Sequence, residues 1–319
     1  MRGWSCDKVP ATDLIGRSEA DWARDTFVKG RRMSNAKRLR RVLDQPGILV
    51  LPGAYDALSA RIAAQCGFEV VFTSGFGLAA SALGLPDLGL MTMTESLDRV
   101  RHMVRAVDVP VVADMDTGYG NPLNVIRTVE ECLGLGVAGI ILEDQEWPKK
   151  CGHMEGKRVI PLEDHVQKLK AAVHARSKDD LILIARTDAR EPLGLDEAIR
   201  RGRAFRDAGA DVIFIEAPRS VEELEQIARA IPDAHLFANM IEGGKTPFLS
   251  AKELEQLGYK MVVYPLSALF SAAKATLETL RTLREKGTTS GAPTLLSFKE
   301  FEKVIGLARY RDLERRFVS

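Results

Sequence analysis

Asp114 and Asp116 stand two residues apart at the end of the apolar run 109–113. On an extended strand such a pair faces one way. With Asp87 and Glu143 at comparable places it makes an oxygen-only site, which suits Mg2+. A second candidate is Cys151, inside Glu-Asp-Gln-Glu-Trp-Pro-Lys-Lys-Cys-Gly-His at 143–153. Lys149 and Lys150 beside it are expected to favour the thiolate and draw its pKa towards neutrality, which suits a general acid or base. Cys151 and His153 alone supply too few ligands for a zinc site. Ser74-Gly75 also follows an apolar run and can aim backbone N–H groups at a developing oxyanion; an ordinary turn is the plainer reading. Arg186 ends a further run and calls for a carboxylate, either a substrate's or a neighbouring acid's. Gly243-Gly-Lys-Thr246 imitates a phosphate loop, but position 239 is Asn where that motif requires Gly. It reads as a mobile loop closing one wall. His102, His165 and His174 fall on helical patterns and read as surface residues.

What these reactive residues share is their place, just after a short apolar run. Such runs occur at 48–51, 70–72, 109–113, 140–142, 181–185, 212–215, 236–238 and 261–264. Each is too short for a helix and has the Val/Ile character of a buried parallel strand. Segments with apolar residues three and four apart lie between them, as helices do. Gly67, Gly136, Gly209 and Gly258 introduce four of the runs, each placed to cap a helix before a strand. Eight alternations predict a mixed α/β fold, a (β/α)8 TIM-type barrel, whose active site lies at the C-terminal strand ends. An open doubly wound sheet is the alternative, but no Gly-x-Gly-x-x-Gly follows the first run. The predicted ring comprises Tyr55, Ser74, Asp87, Asp114, Asp116, Glu143, Arg186, Glu216 and Asn239. Residues 1–32 read as an N-terminal arm, and 33–319 as one barrel domain with a C-terminal helical extension. In that domain a basic helix occupies 36–43, a long helix 268–286, and a helical segment 298–317 suited to packing on a neighbouring subunit.

The totals exclude several classes. The formal net charge is +1, which argues against nucleic-acid and anionic-membrane partners. No run nears the ~18 apolar residues of a membrane span, and the N-terminus lacks an apolar signal core. Four cysteines in 319 residues do not form a disulfide framework. The expectation is a reduced, cytoplasmic protein.

Several motifs occur in order: Ser74-Gly75, Leu83-Gly-Leu-Pro-Asp-Leu-Gly89, Asp114-Met-Asp-Thr-Gly-Tyr-Gly120, Glu143-Asp-Gln145, Lys149-Lys-Cys-Gly-His153, Ala185-Arg-Thr-Asp188, Glu216-Ala-Pro218, Asn239-Met-Ile-Glu-Gly-Gly-Lys-Thr-Pro247 and Tyr264-Pro-Leu-Ser267. Together they resemble the isocitrate lyase/phosphoenolpyruvate mutase superfamily, over residues 36–318. The resemblance implies an α/β barrel with a helix exchanged between subunits, a homotetramer built from dimers, and Mg2+, with Mn2+ as a substitute. It implies a small-molecule carboxylate substrate and an enolate-like intermediate. Asp114 and Asp116 match metal ligands, and Asp87 and Glu143 match acids acting through water. Ser74, Gly75 and Phe76 match the oxo-acid cradle; Gly152, His153, Arg186, Glu216 and Asn239 match residues around the substrate. Cys151 matches the thiol that protonates the leaving carbanion in the carbon–carbon lyases. Tyr55 or a metal-bound hydroxide is left as the base. Phe270 stands where 2-methylisocitrate lyases carry an Arg, so the wording is most similar to the 2,3-dimethylmalate lyase and petal-death-protein branch. The implied activity is retro-aldol cleavage of an alkylated 2-hydroxydicarboxylate. The alternatives are carboxyphosphonoenolpyruvate phosphonomutase chemistry, 2-methylisocitrate cleavage, and a non-catalytic oxo-acid sensor.

Overall fold

The eight apolar runs all become strands in the computed structural model, which describes residues 27–28, 31–177, 180–292 and 295–318. A short antiparallel pair, β1 (Phe27–Val28) and β2 (Arg31–Arg32), precedes them. The rest of the arm expected over 1–32 lies outside the described residues. The eight strands are β3 (Leu49–Ala54), β4 (Val71–Thr73), β5 (Val111–Asp114), β6 (Gly139–Glu143), β7 (Ile182–Thr187), β8 (Val212–Ile215), β9 (His235–Asn239) and β10 (Met261–Tyr264). Each pairs in parallel with the next. Met261 lies opposite Leu49, so β10 closes on β3 and the sheet becomes a barrel. The helices of this unit are α1 (Asn35–Leu43), α2 (Ala57–Gln65), α3 (Gly75–Leu83), α4 (Met93–Ala106), α5 (Pro122–Leu135), α6 (Leu162–Arg176), α7 (Arg190–Leu193), α8 (Leu195–Asp207), α9 (Val221–Ala230) and α10 (Ala251–Gln256). The fold is the predicted (β/α)8 barrel.

Local chemistry sets the boundaries. Thr92 and Glu95 form a reciprocal capping box at the start of α4. Asn121 caps α5, with Pro122 at its first position. Gly67, Gly136, Gly209 and Gly258 take φ values of 88°, 78°, 100° and 95°, the left-handed turn from helix to strand that their spacing predicted. Inside the barrel Leu51, Phe72, Ile141, Ile184, Phe214, Phe237 and Val263 form one apolar cluster. The buried stripe Ala36, Leu39, Leu43 of α1 belongs to the same end of the molecule as the strand starts. Leu39 and Leu43 join Leu49, Val70, Ala138 and Met261 in that cluster, so α1 stoppers the N-terminal mouth.

A second compact unit begins at Ala268. It holds most of α11 (Ser267–Lys286), then α12 (Phe298–Val304) and α13 (Leu307–Phe317). The single helical segment expected at 298–317 is broken at Gly306, whose φ of 71° is left-handed. Among the described residues no helix is long and apolar enough to cross a membrane.

Candidate active site

The first strand ends to converge are those of β4, β5 and β6. Thr73 Oγ1 accepts the Asp114 amide at 3.3 Å. Ser74 caps α3, its Oγ accepting from the Gly77 amide. Asp114 closes β5, but Asp116 reaches the same side by a different route from the strand pleat expected. Its φ is 49°, its amide donates to Asp114 Oδ1 at 3.1 Å, and the Glu143 amide donates to its carbonyl at 2.9 Å. Tyr119 in the same turn has φ 59°. A left-handed side-chain residue costs on the order of 1–2 kcal/mol, strain of the kind found where geometry serves function. Both carboxylates come to bear on Gly75. A Cβ there would stand 3.0 Å from Asp114 Oδ2 and 3.5 Å from Asp116 Oδ1.

Lys149 does not lie where the sequence suggested. Its ammonium is buried between Asp87 Oδ1, at 2.6 Å, and Asp116 Oδ1, at 2.7 Å. Burial pushes the Asp116 carboxyl up to about 6, with Asp114 and Asp87 adding to the rise against Lys149. Burial likewise holds Glu143 well above the usual carboxylate range, although Arg186 opposes it. Glu143 Oε1 is buried without a hydrogen bond among the described residues, and Asp116 Oδ1 has only the Lys149 ammonium. Crowded, under-satisfied carboxylate oxygens are a donor set for a small hard divalent cation. Among the described residues no three His, Cys, Asp or Glu side chains converge tightly enough to ligate an ion by themselves. A cation held here would take two carboxylates directly and keep its other places for water or substrate.

The Cys151 loop is fastened at several points. Its amide donates to the Asp87 carbonyl at 3.2 Å. Gln145 brackets Lys150, accepting its amide at 2.9 Å and donating to its carbonyl at 2.7 Å. Lys157 Nζ donates to the Gly152 carbonyl and pairs with Asp188 at 2.9 Å. A Cβ on Gly152 would stand 2.4 Å from Arg186 Nη2 and 2.6 Å from Glu216 Oε2, so only glycine permits this approach. His153 Nδ1 accepts the Lys245 amide at 2.9 Å, which leaves the proton on Nε2, 3.2 Å from Glu216 Oε1. A Cβ on Gly244 would stand 2.5 Å from that Nδ1.

Burial pushes the Cys151 thiol up to about 11, with Asp87 and Glu216 adding to the rise. The expected depression fails because the lysines point elsewhere. Lys149 serves Asp87 and Asp116, and Lys150 Nζ donates to the Glu155 and Gly156 carbonyls. A thiol so placed is a proton donor at neutral pH rather than a thiolate.

Arg186 finds its carboxylates within the ring. It donates to both oxygens of Asp188 at 2.9 and 3.0 Å, stands 3.4 Å from Glu143 and from Glu216, and covers the Phe214 ring. Burial alone would raise the Glu216 pKa, but Arg186 and the His153 hydrogen bond outweigh it and hold the carboxyl well below its usual value. Asn239 Nδ2 donates to Glu216 at 3.1 Å.

A cavity of about 40 Å³ lies among these groups. Ser74, Phe76, Asp87, Asp114, Cys151, Gly152, Arg186, Glu216 and Asn239 line it, over an apolar floor that includes Phe72, Phe214 and Phe237. Gly75, Asp116, Glu143 and His153 stand directly behind that lining, through the contacts already given. Tyr55 is not among the lining residues. It is half-buried beyond β3, and burial, then Asp56, raises its pKa. His165 is not a surface residue. It packs against Phe205 with ring centroids 4.7 Å apart, and burial, with Lys168 and Arg201, drives its pKa down to about 3. Sequence reasoning missed Lys157, an isolated lysine in a turn with no pattern around it. It also missed the support of Asp188 by Asp144, which accepts the Asp188 amide, the Thr187 hydroxyl and Arg201 at 2.7–2.8 Å.

Comparison with known proteins gives the family of the chain. Residues 39–284 match the family model described as phosphoenolpyruvate phosphomutase. The chain is 46% identical to 2,3-dimethylmalate lyase of Eubacterium barkeri, over 90% of this chain and 99% of that protein. It is 44% identical to the chloroplastic carboxyvinyl-carboxyphosphonate phosphorylmutase of Arabidopsis thaliana (88% and 84% covered) and 43% identical to 2-methylisocitrate lyase of Bacillus subtilis strain 168 (88% and 92%). A crystal structure of 2,3-dimethylmalate lyase superposes with a TM-score of 0.86 at 36% identity, over 91% of this chain and 97% of the other. Phosphonopyruvate hydrolase, solved with oxalate and Mg2+, superposes with a TM-score of 0.81 at 30% identity, over 90% and 100%. The chain belongs to the phosphoenolpyruvate mutase/isocitrate lyase superfamily, and is an enzyme of it.

Proposed function

We propose that this enzyme is a Mg2+-dependent carbon–carbon lyase that cleaves an alkylated 2-hydroxydicarboxylate, of the 2,3-dimethylmalate class, into an α-keto acid and a simple carboxylate. The observation that carries this reading is the Cys151 thiol, partly buried and with its pKa pushed up by that burial, sharing a small cavity with Ser74, Asp114, Arg186 and Asn239. Asp114 and Asp116 would hold the cation, with Asp87 and Glu143 acting through water; Mn2+ would serve in place of Mg2+. Bound there, it would lower the pKa of the substrate hydroxyl and orient it with the adjacent carboxylate. Ser74 and the first-turn amides of Gly75 and Phe76, at the positive end of α3, receive the carboxylate of the oxo-acid half. Glu143, whose carboxylate faces Arg186 at 3.4 Å, would take the hydroxyl proton. The hydroxyl oxygen becomes a carbonyl, the adjacent C–C bond breaks, and its electron pair passes to the departing carboxylate-bearing carbon. The Cys151 S–H then protonates that carbon. Arg186, Glu216 and Asn239 bound the reacting groups, while Gly152 and His153 fix the thiol loop. Tyr55, whose Cβ would lie 2.9 Å from a Cβ on Gly77 behind Ser74, is the alternative base.

The 44% identity to the phosphorylmutase supports a second reading, in which a P–C bond forms instead. One panel assay separates the two. With Mg2+, 2,3-dimethylmalate, citramalate, 2-methylisocitrate, oxaloacetate and a carboxyphosphonate are offered, and released keto acids are trapped as hydrazones. Keto-acid release from a substituted malate, abolished by EDTA, is the expected result. Turnover of the phosphonate alone would replace the lyase reading. We place the enzyme in the cytoplasm as a homotetramer. The support is the exposure of Leu277, Leu280, Phe298 and Phe317 in the C-terminal unit, surfaces that a partner subunit would cover; light scattering on the purified enzyme tests it.

A further inference from the structure

The turn that presents Asp116 is conformationally unusual. Asp116, Gly118, Tyr119 and Gly120 all have positive φ. Gly118 and Tyr119 abut the core at Val125 and Leu142, while a groove of about 870 Å³ runs along another side of the turn, with Thr117, Tyr119, Gly120 and Lys168 among its walls. Three successive carbonyls are approached by donors from three other elements. The Glu143 amide of β6 donates to Asp116 at 2.9 Å, Lys168 Nζ of α6 donates to Thr117 at 3.0 Å, and Thr128 Oγ1 of α5 lies 3.2 Å from the Gly118 oxygen. Thr128 has one proton and a competing acceptor in its own helix, the Asn124 carbonyl at 3.0 Å. That leaves Lys168 as the strong side-chain clamp.

Lys168 is itself out of the ordinary. A lysine on a barrel helix usually extends its ammonium into water. This one is 9% exposed, and its hydrogen bond runs inward to a backbone carbonyl rather than to a carboxylate. Nearby carboxylates of Glu143, Asp164 and Asp144 offset the burial of the ammonium, while its hydrogen bond goes to the Thr117 carbonyl. A charged donor forms a hydrogen bond roughly twice as strong as a neutral one, directed here at the peptide next to Asp116.

We propose that Lys168 is a positioning residue for the carboxylate pair: by fixing the Thr117 carbonyl, it holds the left-handed turn that keeps Asp116 turned towards Asp114 and Gly75. The inference rests on the reading of Asp114 and Asp116 as cation ligands. Its test is a Mn2+ titration of the full chain, followed by electron paramagnetic resonance of free Mn2+, with melting temperature read in parallel. Wild type should bind, and Asp116→Asn should not. Lys168→Met should bind about tenfold more weakly or worse, the usual scale for losing a group that orients a ligand. Lys168→Arg, which keeps a charged donor, should recover most of the affinity. If Lys168→Met does not fold, Lys168→Gln takes its place under the same criterion. A variant that melts lower yet binds Mn2+ like wild type overturns the proposal, because a merely structural lysine would behave that way. Wild type that binds no Mn2+, or Asp116→Asn that binds like wild type, overturns the ligand reading and the clamp with it.

Discussion

At the N-terminal mouth of the barrel, α1 lays Leu39 and Leu43 against Leu49, Val70, Ala138 and Met261, and the cluster they join is wholly apolar. At the C-terminal mouth, Asp116, Glu143, Lys149, Lys157, Arg186, Asp188 and Glu216 are buried instead. Apolar burial is favourable wherever it occurs, whereas a buried charge is tolerable only when paired and hydrogen-bonded. The charged end meets that condition incompletely. Arg186 and Lys157 satisfy Asp188 and Lys149 pairs with Asp116, but oxygens of Glu143 and Asn239 have no hydrogen-bond partner among the described residues. One mouth holds the barrel together. The other holds unspent binding capacity, at the face where barrels of this kind carry their chemistry.

Four experiments press on that contrast. Cys151→Ser should lower kcat by about 10²–10⁴-fold, the range for losing a positioned proton donor. Oxalate binding by calorimetry should be unchanged, and full turnover would remove the thiol from the reaction. Gly152→Ala drives a methyl group into Arg186 and Glu216; the displaced loop should cost about 10²-fold in kcat, as small misplacements of reacting groups do. Leu39→Ala should lower the unfolding free energy by about 2–5 kcal/mol in urea titrations, with kcat per folded molecule unaltered. A parallel loss of activity would mean that the two mouths are not independent. The smallest effect concerns pH. In the proposed reaction the protonated thiol is the active form, and its pKa is raised to about 11, so kcat should show no thiol-dependent loss from roughly pH 7 to 9 and decline only as the pH approaches that value. A loss centred near pH 8 would place a lysine beside the thiol after all.

The barrel was legible because its strands are short Val- and Ile-rich runs and because Gly67, Gly136, Gly209 and Gly258 mark where helices turn into them. The ring of acids was legible for a related reason. A residue that ends or follows a buried strand in this fold has one place to go, as Asp114, Arg186, Glu216 and Asn239 show. Side-chain direction was not legible. Neighbours in sequence implied that Lys149 and Lys150 would serve Cys151, yet one bridges Asp87 and Asp116 while the other caps carbonyls of its own loop. His165 resembled a surface residue because helical periodicity does not tell which stripe faces the barrel. Its burial depends on Phe205, forty residues away. The turn at Asp116 was hidden by the strand pleat itself, which gives two aspartates the same facing by simpler geometry.

The meeting of His153 with the Lys245 amide over Gly244 bears on anyone who would rebuild this enzyme. The thiol loop and the loop after β9 are about ninety residues apart, but a ring nitrogen of the first is seated on the backbone of the second, with no room for a side chain at the seat. They are a single interchangeable part with two ends. Grafting Lys-Lys-Cys-Gly-His onto another barrel without Gly-Gly-Lys would deliver the thiol without its anchor. Randomising 242–246 to change substrate preference would retune Cys151 as well.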